Sequence, residues 1–342
     1  MYEDFYGLTG KPFQLSPDAR FFFNSKGHNR AMAYLRYGLE QGEGFIVITG
    51  GIGTGKTMLV RNLFDELDST RVVAAELVTT QVEPEDVLRI VCASYGLAHE
   101  GVTKAALLNN LEAFLHDRYK EGKRVLLVID EAQNLPERSI EELRMLANFQ
   151  VGGRALIQSF LLGQNELKHT LQRPSMEQFR QRVIASYDLR ALNEEEMKNY
   201  ILHRLRLVGW REDPKIENEV FEKIYEFTNG IPRRVNTLCD RILLFGCLEE
   251  RHQIDLGALK KVTDEIKEEG WCSSNAAQPK QPAVGKKHKI IKSSPADSEL
   301  IQRIAILEAE IDALKAGMRA DRRMVEVMQL KLDMSGEEEY EE

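Results

Sequence analysis

The residues best suited to chemistry form one short segment, Gly50-Gly51-Ile52-Gly53-Thr54-Gly55-Lys56-Thr57. It fits the phosphate-binding pattern G-x4-G-K-[ST], in which glycines let backbone N–H groups curl around phosphate oxygens. Lys56 can reach the β- and γ-phosphates of a nucleoside triphosphate, and the Thr57 hydroxyl can ligate Mg²⁺. Met58 begins the apolar side of a following helix, whose N-terminus adds partial positive charge. Residues 50–58 are therefore predicted to bind a nucleotide.

Two carboxylates, Asp130 and Glu131, follow the apolar run at residues 125–129. A carboxylate at the carboxyl end of a parallel strand, beside a phosphate loop, is placed to hold Mg²⁺ directly or through water. Asp130 is the predicted metal ligand, together with Thr57. Glu131 can orient and polarise a water against the γ-phosphate, so the pair predicts hydrolysis and not merely nucleotide binding.

Alternating strands and helices surround these motifs. Five runs are predicted to be strands, the last of them the weakest, and they span residues 45–49, 72–78, 125–129, 156–162 and 183–189. Helical patterns separate the runs, which implies parallel pairing and an α/β fold. The phosphate loop and the carboxylates then lie at the ends of the first and third strands. Residues 1–190 are predicted to be a nucleotide-binding core with an N-terminal extension.

The pattern becomes all-helical near Asn193. Asn193 followed by Glu196 indicates a capped helix start, and Asn229-Gly230 indicates a helix end. Three apolar helical stripes lie between residues 191 and 268. We therefore predict a helical lid domain over residues 191–268.

The last part of the chain has a different composition. Residues 269–298 contain prolines, serines and lysines without an apolar pattern, which predicts a flexible linker. Residues 299–334 carry a heptad seam, which predicts a coiled coil that binds a partner or a second copy. Gly317 and Asp321 weaken the seam, so a single solvated helix is the alternative. Residues 335–342 form an acidic tail.

Composition excludes several classes of protein. The 46 basic and 54 acidic side chains give a net charge of −8, which argues against a protein coated with basic charge for nucleic acid. No run of apolar residues approaches the length of a membrane-spanning helix, and the N-terminus does not resemble a secretory signal. The four cysteines are widely spaced, which favours free thiols in a reducing cytoplasm over zinc or disulfides.

The motifs resemble those of AAA+ ATPases. Several further stretches resemble the secretion ATPases of the general secretion pathway A (ExeA/GspA) type, and most closely the subfamily associated with exosortase and exopolysaccharide loci. These stretches are Phe5-Tyr6-Gly7-Leu8, Lys11-Pro12-Phe13, Leu15-Ser16-Pro17-Asp18 and residues 28–39, 129–135, 142–149, 163–167 and 230–236. The resemblance covers about residues 1–268. It implies a P-loop AAA+ fold and Mg²⁺-dependent hydrolysis of ATP to ADP and phosphate.

The resemblance also implies roles for individual residues. Gln164 corresponds to the sensor of the attacking water or γ-phosphate, and Arg233 to a second sensor on the lid. Arg182, or failing that Arg180, corresponds to the arginine finger offered to a neighbouring subunit. With Lys56 and Glu131, these residues make up the expected catalytic set. An arginine suits the finger because its planar, permanently charged fork can pair with two phosphate oxygens.

The same resemblance suggests where the protein works. It implies an oligomer that powers or regulates a secretion, exopolysaccharide-export or envelope-assembly system, in the cytoplasm or at the inner membrane through partners. Fuller ExeA-type proteins carry a membrane segment and a periplasmic wall-binding region, and we expect neither here. The heptad segment occupies that position and favours a coiled-coil partner of the export machine.

Two other interpretations remain open at this stage. The first is a DNA-associated ATPase of transposition or replication-regulator type, in which lysines between residues 280 and 292 contact phosphates. The acidic net charge and the lack of a recognisable DNA-binding module weigh against it. Tight duplex binding with a steep salt dependence would favour it. The second is a nucleotide-gated scaffold whose cargo is the coiled-coil partner.

Overall fold

The computed structural model describes residues 1–78 and 84–269 of the 342-residue chain. The strands are β1 (Phe45–Gly50), β2 (Val72–Val78), β3 (Arg124–Asp130), β4 (Gln150–Val151), β5 (Arg154–Ala155), β6 (Ile157–Gly163), β7 (Val183–Leu189), β8 (Lys215–Ile216) and β9 (Gln253–Ile254). The helices are α1 (Tyr2–Phe5), α2 (Lys26–Gln41), α3 (Lys56–Glu66), α4 (Pro84–Ser94), α5 (Lys104–Lys120), α6 (Glu137–Leu146), α7 (Asn165–Leu171), α8 (Glu177–Arg180), α9 (Glu194–Leu207), α10 (Asn218–Thr228), α11 (Pro232–Leu248) and α12 (Leu256–Glu268).

The central sheet has five parallel strands in the order β2-β3-β6-β1-β7. The predicted α/β fold with a parallel sheet is therefore confirmed. Each of the five predicted runs is a strand, and the observed bounds differ by at most one residue. The fifth run, β7, lies at the edge of the sheet and is only partly buried, which explains its weaker apolar pattern. The short β4–β5 pair was not predicted.

Helices cover both faces of the sheet. Along β1, Phe45 and Val47 join the cluster under helices α4–α8, whereas Ile46 and Ile48 join the cluster under α2 and α3. Successive side chains on a strand point to opposite faces, so a continuously apolar strand contributes to both clusters. The central strands are buried between these two layers. Their carboxyl ends, where the predicted site residues lie, are consequently held rigidly.

The helices α9–α12 pack around a third hydrophobic cluster. Five side chains of the N-terminal segment belong to it: Tyr2, Tyr6, Leu8, Phe13 and Phe21. The sequence predicts these residues to be an extension of the nucleotide-binding core, but their apolar surface is buried against helices α9–α12. The N-terminal segment therefore contributes to the hydrophobic core of helices α9–α12. The boundary between the core at 1–190 and the lid at 191–268 stays a prediction.

The predicted helix ends are confirmed. The Asn193 side chain accepts a hydrogen bond from the Glu196 N–H at 2.8 Å, and Glu196 accepts one from the Asn193 N–H at 3.2 Å. Glu196 also accepts from the Lys26 N–H at 2.9 Å, which links the start of α9 to the start of α2. Helix α10 ends at Thr228 and is followed by Asn229 in the left-handed conformation, and α11 begins with Pro232.

The C-terminal predictions fall on residues 270–342, which lie outside the described residues. They comprise nearly all of the 269–298 linker, the 299–334 coiled coil and the 335–342 tail. Within residues 1–78 and 84–269, no helix combines the length and the apolarity needed to cross a bilayer. In the same part of the chain, Cys92, Cys239 and Cys247 are free thiols.

Gly230 should be one of the least replaceable residues of the turn between α10 and α11. Its φ is +67°, and a Cβ there would meet the carbonyl oxygen of Leu192. We expect Gly230→Ala to lower the free energy of unfolding by more than about 3 kcal/mol, because backbone strain and a backbone clash add. Gly42→Ala is the control, since Gly42 has φ +72° but open space around it. That variant should lose only about 1–2 kcal/mol in thermal or urea unfolding. Equal losses of unfolding free energy in the two variants would contradict the predicted clash at position 230.

Candidate nucleotide-binding site

The phosphate loop connects β1 to α3, as predicted. Strand β1 ends at Gly50, and α3 begins at Lys56, so the loop lies against a helix N-terminus. Gly53 has φ +78°, and a Cβ there would lie 2.6 Å from the Arg233 Cβ. The Arg233 N–H donates to the Gly53 carbonyl at 3.2 Å. A glycine at position 53 therefore permits the lid helix α11 to contact the loop directly.

Lys56 is buried within the loop that precedes it. Its Nζ donates to the Gly50 carbonyl at 3.0 Å and to the Gly51 carbonyl at 3.1 Å. Burial lowers the pKa of Lys56, although the negative charges of Glu131 and Asp130 oppose that shift. The ammonium group is held by carbonyl dipoles beside two carboxylates, where a phosphate could replace the carbonyls as its acceptor.

Thr57 and Asp130 meet across the strand ends. The Thr57 hydroxyl donates to Asp130 Oδ2 at 2.7 Å, and Asp130 is only 2% exposed at the end of β3. One hydroxyl and one carboxylate are the kind of ligands that Mg²⁺ takes when phosphates and waters complete its octahedron. Among residues 1–78 and 84–269, no cluster of three or more His, Cys, Asp or Glu could hold a metal. The residues thus fit a cation bound together with a nucleotide rather than one bound by protein alone.

Glu131 leaves the strand in a left-handed conformation, with φ +53°. Its Oε2 accepts hydrogen bonds from Gln133 Nε2 at 2.5 Å and from Gln164 Nε2 at 3.2 Å. Burial alone would raise the pKa of Glu131, but these two bonds and the charge of Lys56 lower it below its ordinary value. The carboxylate is therefore ionised at neutral pH and is held in a defined orientation.

Gln164 follows the end of β6, next to β3 in the sheet. Besides its bond to Glu131, its backbone N–H donates to Gln133 Oε1 at 2.9 Å. Gln133 thus links the ends of β3 and β6, because its amide nitrogen donates to Glu131 and its amide oxygen accepts from the Gln164 N–H. The family resemblance implies a role for Gln164 but none for Gln133, although Gln133 follows the carboxylates by only two or three residues.

One cavity of about 370 Å³ brings most of the predicted residues together. We call it the nucleotide cavity. Lys56, Thr57, Glu131, Gln164 and Arg233 all line it, and Asp130 lies directly behind Thr57. The predicted site residues on β1, β3, β6 and α11 therefore converge.

Arg182 and Arg180 do not line the nucleotide cavity of their own chain. Arg182 donates to the Asn148 side chain at 2.8 Å and to the Ala147 carbonyl at 3.4 Å. Arg180 donates to the carbonyls of Leu171 and Arg173 at 2.7 and 2.6 Å. Neither guanidinium can serve this chain's own site in this arrangement.

The rest of the cavity wall was not predicted. It comes from the N-terminal segment and the lid helices and includes Leu15, Pro17, Phe21, Phe22, Phe23, Tyr200, Arg204 and Asn236. Tyr200 lies on α9, in the region where the sequence predicts only apolar helical stripes. Nothing in the local sequence distinguishes Arg204 from a surface arginine, because its surroundings are set by packing.

His28 lies behind the phosphate loop and was also missed. Its Nδ1 lies 2.7 Å from the Ser25 hydroxyl, and a Cβ on Gly55 would lie 2.6 Å from its Nε2. Burial lowers the pKa of His28, despite an opposing hydrogen bond to the Thr54 backbone. A neutral imidazole therefore supports the loop from the N-terminus of α2.

Comparisons with known proteins match the part of the chain that contains the phosphate loop and the two carboxylates. Residues 39–171 match a family model described as AAA domain. The chain is 33% identical over 278 residues to general secretion pathway protein A of Aeromonas hydrophila. That match covers 80% of this chain and 50% of the relative, so the chain spans about half of that protein's length.

Solved structures show the same fold. The ORC2 protein of Aeropyrum pernix, in its ADPNP–ADP complexes, matches with a TM-score of 0.54 at 17% identity, covering 73% of this chain and 72% of that one. Cdc6p of Pyrobaculum aerophilum matches with a TM-score of 0.59 at 16% identity, covering 75% and 70%. At these identities the likeness concerns the fold alone. The chain belongs to the AAA-domain proteins with a P-loop α/β fold, and over 80% of its length it is a relative of general secretion pathway protein A.

Proposed function

We propose that the protein is an ATPase that binds ATP with Mg²⁺ in the nucleotide cavity and hydrolyses it to ADP and phosphate. The observation that carries the proposal is the position of Glu131. Its ionised carboxylate lines the same cavity as Lys56 and Thr57 and is oriented by Gln164. A site that only held a nucleotide would need Lys56 and the loop but no oriented base.

The loop and Lys56 would bind the phosphates. Backbone N–H groups at the start of α3 favour negative charge, and a phosphate oxygen can replace the Gly50 and Gly51 carbonyls as acceptor for Lys56. Thr57 and Asp130 would hold Mg²⁺, which supplies positive charge to the β- and γ-phosphates. Arg233 would bring a further cation from the lid to the same phosphates.

Glu131 would act on the attacking water. A carboxylate with a lowered pKa is ionised and can accept the hydrogen bond of a water that approaches the γ-phosphate. Gln133 and Gln164 hold the carboxylate in place. The Glu131 side chain therefore loses little further rotational freedom when the water binds. Gln164 would contact the water or the γ-phosphate as the first sensor.

A second copy of the chain would complete the site. Arg182, or failing that Arg180, would donate to the phosphates of a neighbour, because neither reaches its own cavity. The protein would then be active as an oligomer assembled through its nucleotide sites.

The relative's name supports a cellular role. We propose that the ATPase powers or regulates a secretion, exopolysaccharide-export or envelope-assembly system. The support is the 33% identity to general secretion pathway protein A and the resemblance of the N-terminal and lid motifs to its family. The protein would work in the cytoplasm, or at the inner membrane through a coiled-coil partner of that system.

Replacing Glu131 by glutamine should stop hydrolysis without preventing binding. The amide keeps the size of the side chain and one acceptor oxygen but cannot accept a proton. We expect steady-state phosphate release to fall by about 100-fold or more, while ATP affinity measured by calorimetry stays within a few fold. Glu100→Gln, at an exposed loop position, is the control and should be fully active. Wild-type turnover in the Glu131 variant would remove Glu131 from the mechanism.

The arginine finger can be tested by mixing two inactive variants. Arg182→Ala should lower ATPase activity by about 1000-fold, and Lys56→Ala should abolish nucleotide binding. Mixed, the first variant supplies an intact loop and the second an intact finger, so activity should reappear. Arg211→Ala, which removes an exposed arginine, is the control and should behave like wild type alone. If neither Arg182 nor Arg180 variants regain activity with the Lys56 variant, catalysis does not use an arginine from a neighbour.

A further inference from the structure

Arg204 is a buried cation that forms no ion pair with a carboxylate of residues 1–78 or 84–269. It lies on α9 and is only 5% exposed. Its Nη1 donates to the Tyr200 hydroxyl at 2.6 Å, while its Nε has no hydrogen-bond partner in the part of the chain that the structure describes. No carboxylate among residues 1–78 and 84–269 lies within ion-pair distance of Arg204. Burying an uncompensated guanidinium is costly, so such a group implies a ligand that supplies acceptor atoms.

The surroundings of Arg204 distinguish it from the phosphate-binding residues. Its guanidinium carbon lies 4.7 Å from the centre of the Phe21 ring and 5.4 Å from that of Tyr200. These rings belong to the apolar wall of the nucleotide cavity, whereas Lys56 and Glu131 belong to the polar wall at the strand ends. A triphosphate would lie along the polar wall. The flat, mainly apolar base would then lie along the aromatic wall, where Arg204 is.

A hydrogen-bond chain holds Arg204 in place. The Tyr200 hydroxyl, which accepts from Arg204, donates to Asn236 Oδ1 at 2.8 Å. All three side chains are buried and line the nucleotide cavity. Because Tyr200 occupies the Asn236 carbonyl, the Asn236 amide has its N–H₂ group left to donate. Arg204 and Asn236 therefore present donors that are already oriented. Little further conformational entropy is lost when an acceptor binds.

We propose that Arg204 recognises the base of the bound nucleotide by donating hydrogen bonds to its acceptor atoms, with Tyr200 and Asn236 as positioning residues. The proposal rests on the proposed nucleotide binding and adds a specificity-determining residue to it. Phe21 brings the N-terminal segment into the same contact, so the base would be held between that segment and α9.

The test compares ligands with and without a nucleoside. Arg204→Met keeps an unbranched, apolar stem but removes the guanidinium and its donors. Calorimetry with Mg²⁺ should show that ATP and 2′-deoxy-ATP bind this variant about 10-fold or more weaker than wild type, as expected for the loss of charged hydrogen bonds. Inorganic tripolyphosphate should bind both proteins equally. Arg206→Met, on the exposed side of the same helix, is the control and should bind every ligand as wild type does.

Each other outcome has a definite meaning. Unchanged ATP affinity, or an equal loss for tripolyphosphate, would overturn the proposal. An ATP loss that disappears with 2′-deoxy-ATP would assign the contact to the ribose and overturn recognition of the base. The preference between ATP and GTP is a second measurement, and it should change by about fivefold or more in Arg204→Met. Should Arg204→Met fail to fold, Arg204→Lys replaces it, because lysine keeps the charge and loses the planar fork. Absence of ATP binding to the wild-type protein would instead refute the proposed function itself.

Discussion

The hydrogen bond between Thr57 and Asp130 is the contact on which the rest of the site depends. It joins the start of α3 to the end of β3, across strand β6 that separates β1 from β3 in the sheet. Parallel strands present their carboxyl ends at one edge, so residues far apart in sequence meet there without any adjustment of the sheet. Lys56 and Glu131 flank the contact, and a buried cation is thereby set beside two carboxylates. This arrangement of charges supports the proposed ligand, a nucleotide bound together with a divalent cation.

A second constraint comes from the close approach of the lid to the loop. Gly53 leaves no side chain between the phosphate loop and Arg233, so α11 can lie against the loop's backbone. The N-terminal segment completes the enclosure, because its aromatic side chains are packed with the lid helices while Phe21 and Phe22 face the nucleotide cavity. Any movement of the lid would consequently involve this segment as well as α11. The lid contacts the loop through its backbone, because the Arg233 N–H donates to the Gly53 carbonyl.

Much of the site could be predicted because its residues follow local rules. The loop needs a strand before it and a helix behind it, and residues 45–58 show both in their own pattern. Gln164 and Arg233 were predicted only through the resemblance of longer motifs to a family, and their sensor roles stay predictions. Gln133, His28 and Arg204 were missed, since a lone glutamine, histidine or arginine has no pattern until its neighbours are known. The N-terminal segment was predicted to belong to the nucleotide-binding core because it precedes that core directly in the sequence.

The sequence by itself determined the strands, the phosphate loop, the carboxylate pair and the capped lid helices, because each depends on residues within a few positions of one another. Tertiary structure decided which side chains share a cavity. It placed Arg204 between Phe21 and Tyr200, turned Arg182 away from its own site, and packed residues 2–21 against helices that begin at residue 194. Those outcomes depend on burying apolar area between distant segments, which the order of residues along the chain does not show.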